Sequence, residues 1–150
     1  VTEKTITSDG SNFQLGWITS KSGDGGIDYV GKIGIGRNLS SVNIIVLGQA
    51  KCIKPESSIG SITLARTVAR LQRGWIGSFV TTGVFSDNAQ KEIFNDKYPL
   101  MLINGSQVAD IVNRSMHLEK ITNVNIFLKK IDHLYLNEVQ NRRPEELIYN

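Results

Sequence analysis

The run of residues 42–47 most constrains how this chain can fold. It reads Val-Asn-Ile-Ile-Val-Leu, so every side chain except that of Asn43 is aliphatic. A short aliphatic run without polar alternation is typical of a β-strand that is buried on both faces. Such a strand needs a layer of structure on each side of its sheet. The chain is therefore predicted to contain a sheet with both faces covered.

The segments after this strand alternate between helical and strand patterns. Residues 61–73 place Leu64, Val68 and Leu71 on one helical face, and Gly74 is suited to end that helix. The next predicted elements are a strand over 75–82, a helix over 87–97 with Ser86 as N-cap, a strand over 99–103 and a helix over 107–113. This alternation predicts an α/β fold in which helices flank a central mixed β-sheet.

The end of the chain has a different pattern. From Asn123 as far as Val139, apolar residues recur at helical spacing, which predicts a long C-terminal amphipathic helix. Residues 141–144 end this helix, and Pro144 suits the first position of a further short turn. The pattern is compatible with a helix that packs on this domain and with one that packs on a partner.

Composition restricts the class of protein more weakly. The chain has 150 residues, of which 40% are hydrophobic and 21% charged, which suits one domain and is too small for two. Its net charge of +3 permits a polyanionic partner without requiring one. The single cysteine, Cys52, excludes an internal disulfide, and with two distant histidines it cannot complete a zinc site.

Several partners are excluded by missing patterns. The chain lacks the Gly-Lys-Ser/Thr of a P-loop, so we expect no nucleotide cofactor. It has no apolar run approaching ~20 residues and begins with a polar stretch, so we expect neither a membrane span nor a signal peptide. A cytoplasmic protein is the simplest interpretation.

Polar side chains follow the buried strand where it ends. Gln49 and Lys51 are two positions apart and project to the same side of the sheet, whereas Ala50 faces the opposite layer. Upstream, β-branched residues over 27–35 are interrupted by glycines at 31, 34 and 36, which predict a turn or bulge between two strands. Pairing of these strands would bring Asp28 beside Gln49 and Lys51.

Asp24 is the other acidic residue in this region. It lies among the glycines of residues 23–26, where an aspartate usually holds a turn. Asp28 lies between Ile27 and Tyr29, at the start of a strand pattern. Asp28 is therefore the better candidate for a metal ligand.

The order of these motifs resembles the Mrr-type branch of the PD-(D/E)XK nuclease superfamily. The resemblance rests on Gly-Asp-Gly-Gly-Ile-Asp over residues 23–28 and on a hydrophobic strand that ends in Gln-Ala-Lys at 49–51. Residues 65–77 and 98–105 are also similar to restriction endonuclease domains, so the resemblance covers residues 15–112. It implies a restriction-endonuclease-like core and a Mg²⁺-dependent DNA endonuclease in the cytoplasm of a prokaryotic cell.

The resemblance also implies a role for each motif residue. Asp28 would ligate Mg²⁺ directly, Gln49 would offer its amide oxygen as a weaker neutral ligand, and the backbone carbonyl of Ala50 would complete the metal shell. Lys51 would position or help deprotonate the attacking water and offset charge on the pentacovalent phosphate.

Contacts with DNA are expected from basic residues near these motifs. Arg66, Arg70 and Arg73 fall at i, i+4 and i+7 of the predicted helix, where they would form one stripe facing the phosphate backbone. Lys21 and Lys54 flank the two motifs and are weaker candidates. Charged residues opposite an apolar face are also what any surface helix shows, so both interpretations stay open.

The chain departs from the family pattern at its start. The family usually has a helix with an acidic residue before the first motif strand, whereas residues 1–14 are polar without helical periodicity. Glu3 is a poor substitute for that acid. We therefore expect the helix to be missing and residues 1–150 to be the C-terminal catalytic fragment of a larger protein, with the DNA-recognition domain elsewhere.

Within the family, the resemblance is strongest to the nuclease domains of modification-dependent restriction enzymes. It implies double-stranded DNA as the partner, with methylated or hydroxymethylated cytosine read by a separate domain, and a homo-oligomer for double-strand cutting. Two alternatives stay open. The same fold could serve as a noncatalytic DNA-binding or assembly module whose metal site is weakened by Gln49, or as a structure-specific nuclease such as a junction resolvase.

Overall fold

The computed structural model of the protein describes residues 12–20, 26–36, 41–140 and 142–148. Alternating strands and helices make up this part of the chain. In order, they are β1 (Asn12–Ile18), β2 (Tyr29–Ile35), β3 (Val42–Lys51), β4 (Ser58–Ile59), α1 (Ser61–Val68), β5 (Ile76–Thr81), β6 (Val84–Phe85), α2 (Asp87–Asn95), β7 (Leu100–Ile103), α3 (Gly105–Leu118) and α4 (Val124–Tyr135). Two short 3₁₀ turns, Leu136–Glu138 and Pro144–Leu147, follow α4.

The main sheet is mixed, and β3 lies at its centre. Its strand order is β1-β2-β3-β5-β7. The pairs β1–β2 and β2–β3 are antiparallel, whereas β3–β5 and β5–β7 are parallel. Parallel neighbours need crossover connections, which α1 and α2 supply. The predicted α/β fold with a central mixed sheet is therefore confirmed.

The strand β3 is buried on both faces, as its aliphatic run predicts. Ile45, Val46 and Leu47 are at most 3% exposed. Ile45 and Leu47 belong to a cluster that contains Trp17, whereas Val46 belongs to a separate cluster with Phe13. Because alternate side chains of one strand enter different clusters, β3 joins two hydrophobic layers, one on each face.

The glycines before β3 do not all have the predicted role. Gly31 and Gly34 lie inside β2, and the irregularity in the ladder falls in β1, between Leu15 and Trp17. Gly31 is needed for packing, since a Cβ there would lie 2.5 Å from Cζ of Phe13. Gly36, which follows β2, has a φ of +89°. Of the three glycines, Gly36 is thus the one for which the predicted turn is confirmed.

The prediction for residues 61–73 made the helix too long. Helix α1 ends at Val68, because the amide of Arg70 bonds to the carbonyl of Thr67 in a tighter turn. Leu71 still packs against the core from the turn after the helix. Helix α2 matches its prediction within two residues and begins at the N-cap Ser86, whose side chain accepts from the amide of Ala89.

Helix α3 is longer than the predicted 107–113. It has 14 residues: a capping box of Asn104 and Gln107 starts it two residues early, and it continues to Leu118. Helix α4 begins after the N-cap Asn123 and ends at Tyr135, where the 3₁₀ turn continues the predicted amphipathic segment. Phe127 of α4 is 5% exposed, but Ile126 and Leu134 are each 60% exposed. The helix thus packs on its own domain through part of its apolar face.

The segment 142–148 returns to the first strand. Leu147 packs in the cluster of Trp17, and the guanidinium of Arg142 lies 5.3 Å from the centre of the Trp17 ring. Arg142 also pairs with Glu146 at 2.7 Å, and the hydrogen bond from its guanidinium lowers the pKa of that carboxyl group. These contacts cover the face of the sheet next to β1.

Two sequence-based expectations fall partly or wholly outside this description. The missing acidic helix concerns residues 1–14, of which 1–11, including Glu3, lie outside the described residues. Lys21 and Asp24 lie outside them as well. Among the helices that are described, none is long and apolar enough to cross a membrane.

Gly48 is expected to be intolerant of a side chain, because the ring of Tyr29 lies over it. A Cβ at Gly48 would lie 1.8 Å from Cζ of Tyr29. We expect Gly48→Ala to lower the free energy of unfolding by about 1–3 kcal/mol. The corresponding fall in the thermal unfolding midpoint is about 2–10 °C, measured by circular dichroism.

Gly60→Ala is the matched control for this change. A Cβ at Gly60 would meet no atom within 4 Å, so its unfolding free energy is expected to change by no more than about 0.5 kcal/mol. Equal midpoints for the two variants would contradict the packing argument.

Candidate active site

Asp28 is held against the end of β3 by two hydrogen bonds. The amide of Asp28 donates to the carbonyl of Gly48 at 2.8 Å, and the amide of Ala50 donates to Oδ2 of Asp28 at 2.7 Å. The hydrogen bond to Oδ2 of Asp28 thus extends the β2–β3 hydrogen bonding one residue beyond the start of β2. The hydrogen bond from the Ala50 amide fixes the position of this carboxylate oxygen.

The strand alternation places Gln49 and Lys51 on one face of β3. In the antiparallel β2–β3 pair, Tyr29 is opposite Gly48. Asp28, which precedes Tyr29, is therefore at the same height along the sheet as Gln49, which follows Gly48. Asp28 and Gln49 are half-buried, whereas Ala50 and Lys51 are exposed. The structure therefore brings the predicted residues to one strand end that is open to solvent on its outer side.

The amide group of Gln49 lies between helix α1 and the start of β2. Its oxygen Oε1 accepts a hydrogen bond from the hydroxyl of Thr67, which is 1% exposed. Its nitrogen Nε2 faces Gly26, where an added Cβ would lie 3.2 Å away. The amide is therefore confined on both sides, and Gly26 leaves room for it.

Two threonines hold the backbone around Lys51. The hydroxyl of Thr81, which is 1% exposed, donates to the carbonyl of Lys51 at 2.9 Å. The hydroxyl of Thr82 donates to the carbonyl of Ile53 at 2.6 Å and accepts from the amide of Ile53 at 2.8 Å. The chain leaving β3 is thereby tied to the end of β5, which fixes the point from which the Lys51 side chain starts. Cys52, the residue after Lys51, is exposed.

The donor groups fit the Mg²⁺ ion that the sequence resemblance implies. Magnesium in proteins is bound by one or two carboxylates together with water and substrate phosphate. Asp28 supplies one carboxylate, and the amide oxygen of Gln49 and the carbonyl of Ala50 are neutral oxygen donors of the same hard type. Among the described residues no group of three or more His, Cys, Asp and Glu could hold a metal ion. The site would thus bind a cation through few charges.

The candidate DNA-binding residues that the structure describes are exposed, but the three arginines do not lie on one helix as predicted. Arg66 lies on α1, whereas Arg70 and Arg73 follow the end of that helix in turns. The prediction that one helix carries all three was therefore wrong, and their contact with DNA stays a prediction. Lys54 is also exposed, and it follows β3 by three residues. The ion pairs of the described chain involve other residues, Lys130 with Glu119 and Arg142 with Glu146.

Sequence reasoning missed Thr67, Thr81 and Thr82. Thr67 and Gln49 are 18 residues apart, and Thr81 and Lys51 are 30 apart. A threonine inside a helix or at a strand end carries no signal of such a distant partner. Burial of a polar side chain among apolar ones marks Thr67 and Thr81 once the fold is known, whereas Thr82 is exposed and is found only through its hydrogen bonds to Ile53.

Comparisons with solved structures show which known proteins share this fold. The structure of the MspJI restriction endonuclease in complex with a 27-mer oligonucleotide is similar, with a TM-score of 0.92 and 42% identity over 99% of this chain and 33% of that one. The DNA modification-dependent restriction endonuclease AspBHI has a TM-score of 0.65 and 22% identity over 82% of this chain and 31% of that one, and this likeness concerns the fold alone. The chain spans about a third of the length of each enzyme.

The family comparison covers most of the chain. No curated protein sequence matches it significantly. The model of the Mrr catalytic domain, described as a restriction endonuclease, matches residues 2–112. This range includes the strand ends that carry Asp28, Gln49 and Lys51 as well as the whole main sheet. The chain therefore belongs to the Mrr catalytic-domain family of restriction endonucleases.

Proposed function

We propose that this domain hydrolyses phosphodiester bonds of double-stranded DNA with Mg²⁺, at the end of β3. The observation that carries the proposal is the 2.7 Å hydrogen bond from the amide of Ala50 to the carboxylate of Asp28. It places a charged oxygen donor beside the strand end from which Gln49 and Lys51 project. These are the residue types that metal-assisted hydrolysis of a phosphodiester requires.

Each residue has a distinct part in this reaction. Asp28 supplies the negative charge that binds the cation, and the oxygens of Gln49 and Ala50 add neutral donors. When bound, Mg²⁺ would polarise a phosphate oxygen and lower the pKa of an attacking water. The Lys51 ammonium, exposed at the same strand end, would orient that water and offset the charge that develops on the phosphate. With one carboxylate, the site would rely on the scissile phosphate for further cation ligands.

We propose that the substrate is DNA with modified cytosine, read by a domain other than this one. The motif resemblance to the nuclease domains of modification-dependent restriction enzymes supports this, and MspJI, which is 42% identical, is a longer protein of which this chain covers 33%. The described residues present one candidate site of this kind, and one site cuts one strand. A double-strand break would then need two copies, so we also propose that the protein acts as a homo-oligomer.

The test is cleavage of plasmid DNA by the full-length protein, including the domain that is proposed to read the modification. Unmodified and cytosine-methylated plasmids and a four-way junction are incubated with Mg²⁺ or with EDTA, and nicked and linear products are quantified. We expect cutting with Mg²⁺, none with EDTA, and faster cutting of the methylated plasmid. Preference for the junction over both plasmids would identify a structure-specific nuclease. DNA binding without cutting under any condition would identify a noncatalytic module.

Arg66 is the candidate DNA contact that α1 itself carries. We expect Arg66→Ala to weaken DNA binding to a similar degree for all sequences, because a phosphate contact carries no base information. The magnitude of the slope of log affinity against log salt concentration should fall by about 1. The slope is measured by fluorescence anisotropy at salt concentrations from about 50 to 200 mM.

Arg114→Ala is the control for this prediction. Arg114 is exposed on α3, outside the candidate site, and its replacement removes the same charge. Its salt slope is expected to equal that of the unmodified protein. The same slope in both variants would show that Arg66 makes no phosphate contact.

A further inference from the structure

We propose that Thr67 is a positioning residue that orients the amide of Gln49, so that its oxygen is available to the cation. The inference rests on the proposed function, in which Gln49 is a ligand. Thr67 lies in the second turn of α1, is 1% exposed, and donates its hydroxyl hydrogen to Oε1 of Gln49. It does not reach the cation or the DNA itself.

A neutral amide needs this orientation where a carboxylate does not. Both oxygens of a carboxylate are equivalent, so rotation by half a turn still presents an oxygen to the cation. An amide has one oxygen and one NH₂ group, and the same rotation would direct two hydrogen-bond donors at a positive charge. A glutamine at the position of an acidic ligand can therefore bind a cation in only one of its two amide orientations.

The surroundings of Gln49 select between the two orientations. The hydroxyl of Thr67 is directed at Oε1, and Nε2 faces Gly26 on the other side. The carbonyl oxygen has two lone pairs, so the bond from Thr67 leaves one for a cation. Because Thr67 is 1% exposed, the packing of α1 holds its hydroxyl in place beside Gln49.

Cleavage kinetics of Thr67→Val separate this role from a packing role. Valine keeps the shape and loses the hydroxyl, so the Mg²⁺ concentration for half-maximal cleavage is expected to rise about fivefold to tenfold, equivalent to one hydrogen bond. Thr67→Ser keeps the hydroxyl and is expected to stay within about twofold of the unmodified protein. If the half-maximal Mg²⁺ concentration rose equally in the serine variant, the effect would come from packing and the proposal would be overturned.

A double-mutant cycle makes the dependence on Gln49 explicit. In Gln49→Glu protein, the added Thr67→Val change is expected to alter the half-maximal Mg²⁺ concentration by less than about twofold, because a carboxylate needs no orientation. An equal effect of Thr67→Val with Gln49 and with Glu at position 49 would overturn the proposal. Thermal unfolding of each variant identifies any loss that comes from misfolding.

A measurement without turnover keeps the inference testable if the nuclease proposal fails. In ¹H–¹⁵N spectra of the metal-free protein, the side-chain amide signal of Gln49 is identified by its absence in Gln49→Glu. We expect this signal to move in Thr67→Val and to stay near its position in Thr67→Ser. An unchanged signal in the valine variant would overturn the positioning role. A protein that shows the shift but never cleaves DNA would contradict the proposed function instead.

Discussion

Replacing Asp28 by Asn is expected to reduce the rate of DNA cleavage by about 1,000-fold, because the site loses its carboxylate. Stabilisation of charge by a bound metal ion is worth several kcal/mol, and each 1.36 kcal/mol corresponds to about a factor of ten. Asparagine keeps an oxygen that can accept the hydrogen bond from the amide of Ala50. The fold at the end of β3 should therefore be retained, and the loss should be specific to the reaction.

Single-turnover cleavage of plasmid at saturating Mg²⁺ measures this effect. The matched control is Asp24→Asn, which removes the competing carboxylate from the glycine-rich segment. We expect the control to cleave at nearly the unmodified rate, since an aspartate between glycines usually holds a turn. If the two results were exchanged, Asp24 would be the ligand and the assignment of Asp28 would be wrong.

Replacing Lys51 by Ala is expected to lower the single-turnover rate by about 100- to 1,000-fold at saturating DNA. Losing one group that stabilises developing charge in a transition state has an effect of about this size. The side chain of Lys51 is exposed at the strand end, so its removal leaves no cavity in the core. The thermal unfolding midpoint of the variant should stay close to that of the unmodified protein.

Lys54→Ala distinguishes a role in the reaction from a role of charge alone. Lys54 is exposed and three residues further along the chain, and its replacement removes the same charge. We expect this variant to bind DNA more weakly at high salt and to keep its rate once DNA is saturating. Equal rates for the two alanine variants at saturating DNA would remove Lys51 from the mechanism.

The sequence predicted the centre of this fold better than its borders. The aliphatic run 42–47 identified a strand buried on both faces, because burial on both sides removes polar alternation. Helix α1 was predicted too long, since Leu71 continues the helical spacing although it packs from a turn. Strand β1 was not predicted, although Phe13, Leu15 and Trp17 alternate with polar or small residues, because residues 12–14 were grouped with the polar start of the chain.

The residues of the candidate site were found by a local pattern together with a family resemblance. Gln49 and Lys51 stand out because polar residues follow an apolar strand, and Asp28 joins them through the β2–β3 pairing. Thr67 could not be found in this way, because its contact with Gln49 depends on how α1 packs over the sheet. A contact between side chains of different elements is known only from the three-dimensional structure. Polar residues that follow one apolar strand, such as Gln49 and Lys51, can be recognised in the sequence.

The position of Cys52 gives this protein a natural site for a reporter. It is the single cysteine in the sequence, its thiol is exposed, and it directly follows Lys51. Within residues 1–150, a thiol-reactive fluorophore would therefore attach at one defined place, one residue beyond the candidate site. Its emission would report the arrival and departure of DNA in real time, separately from the appearance of cut product.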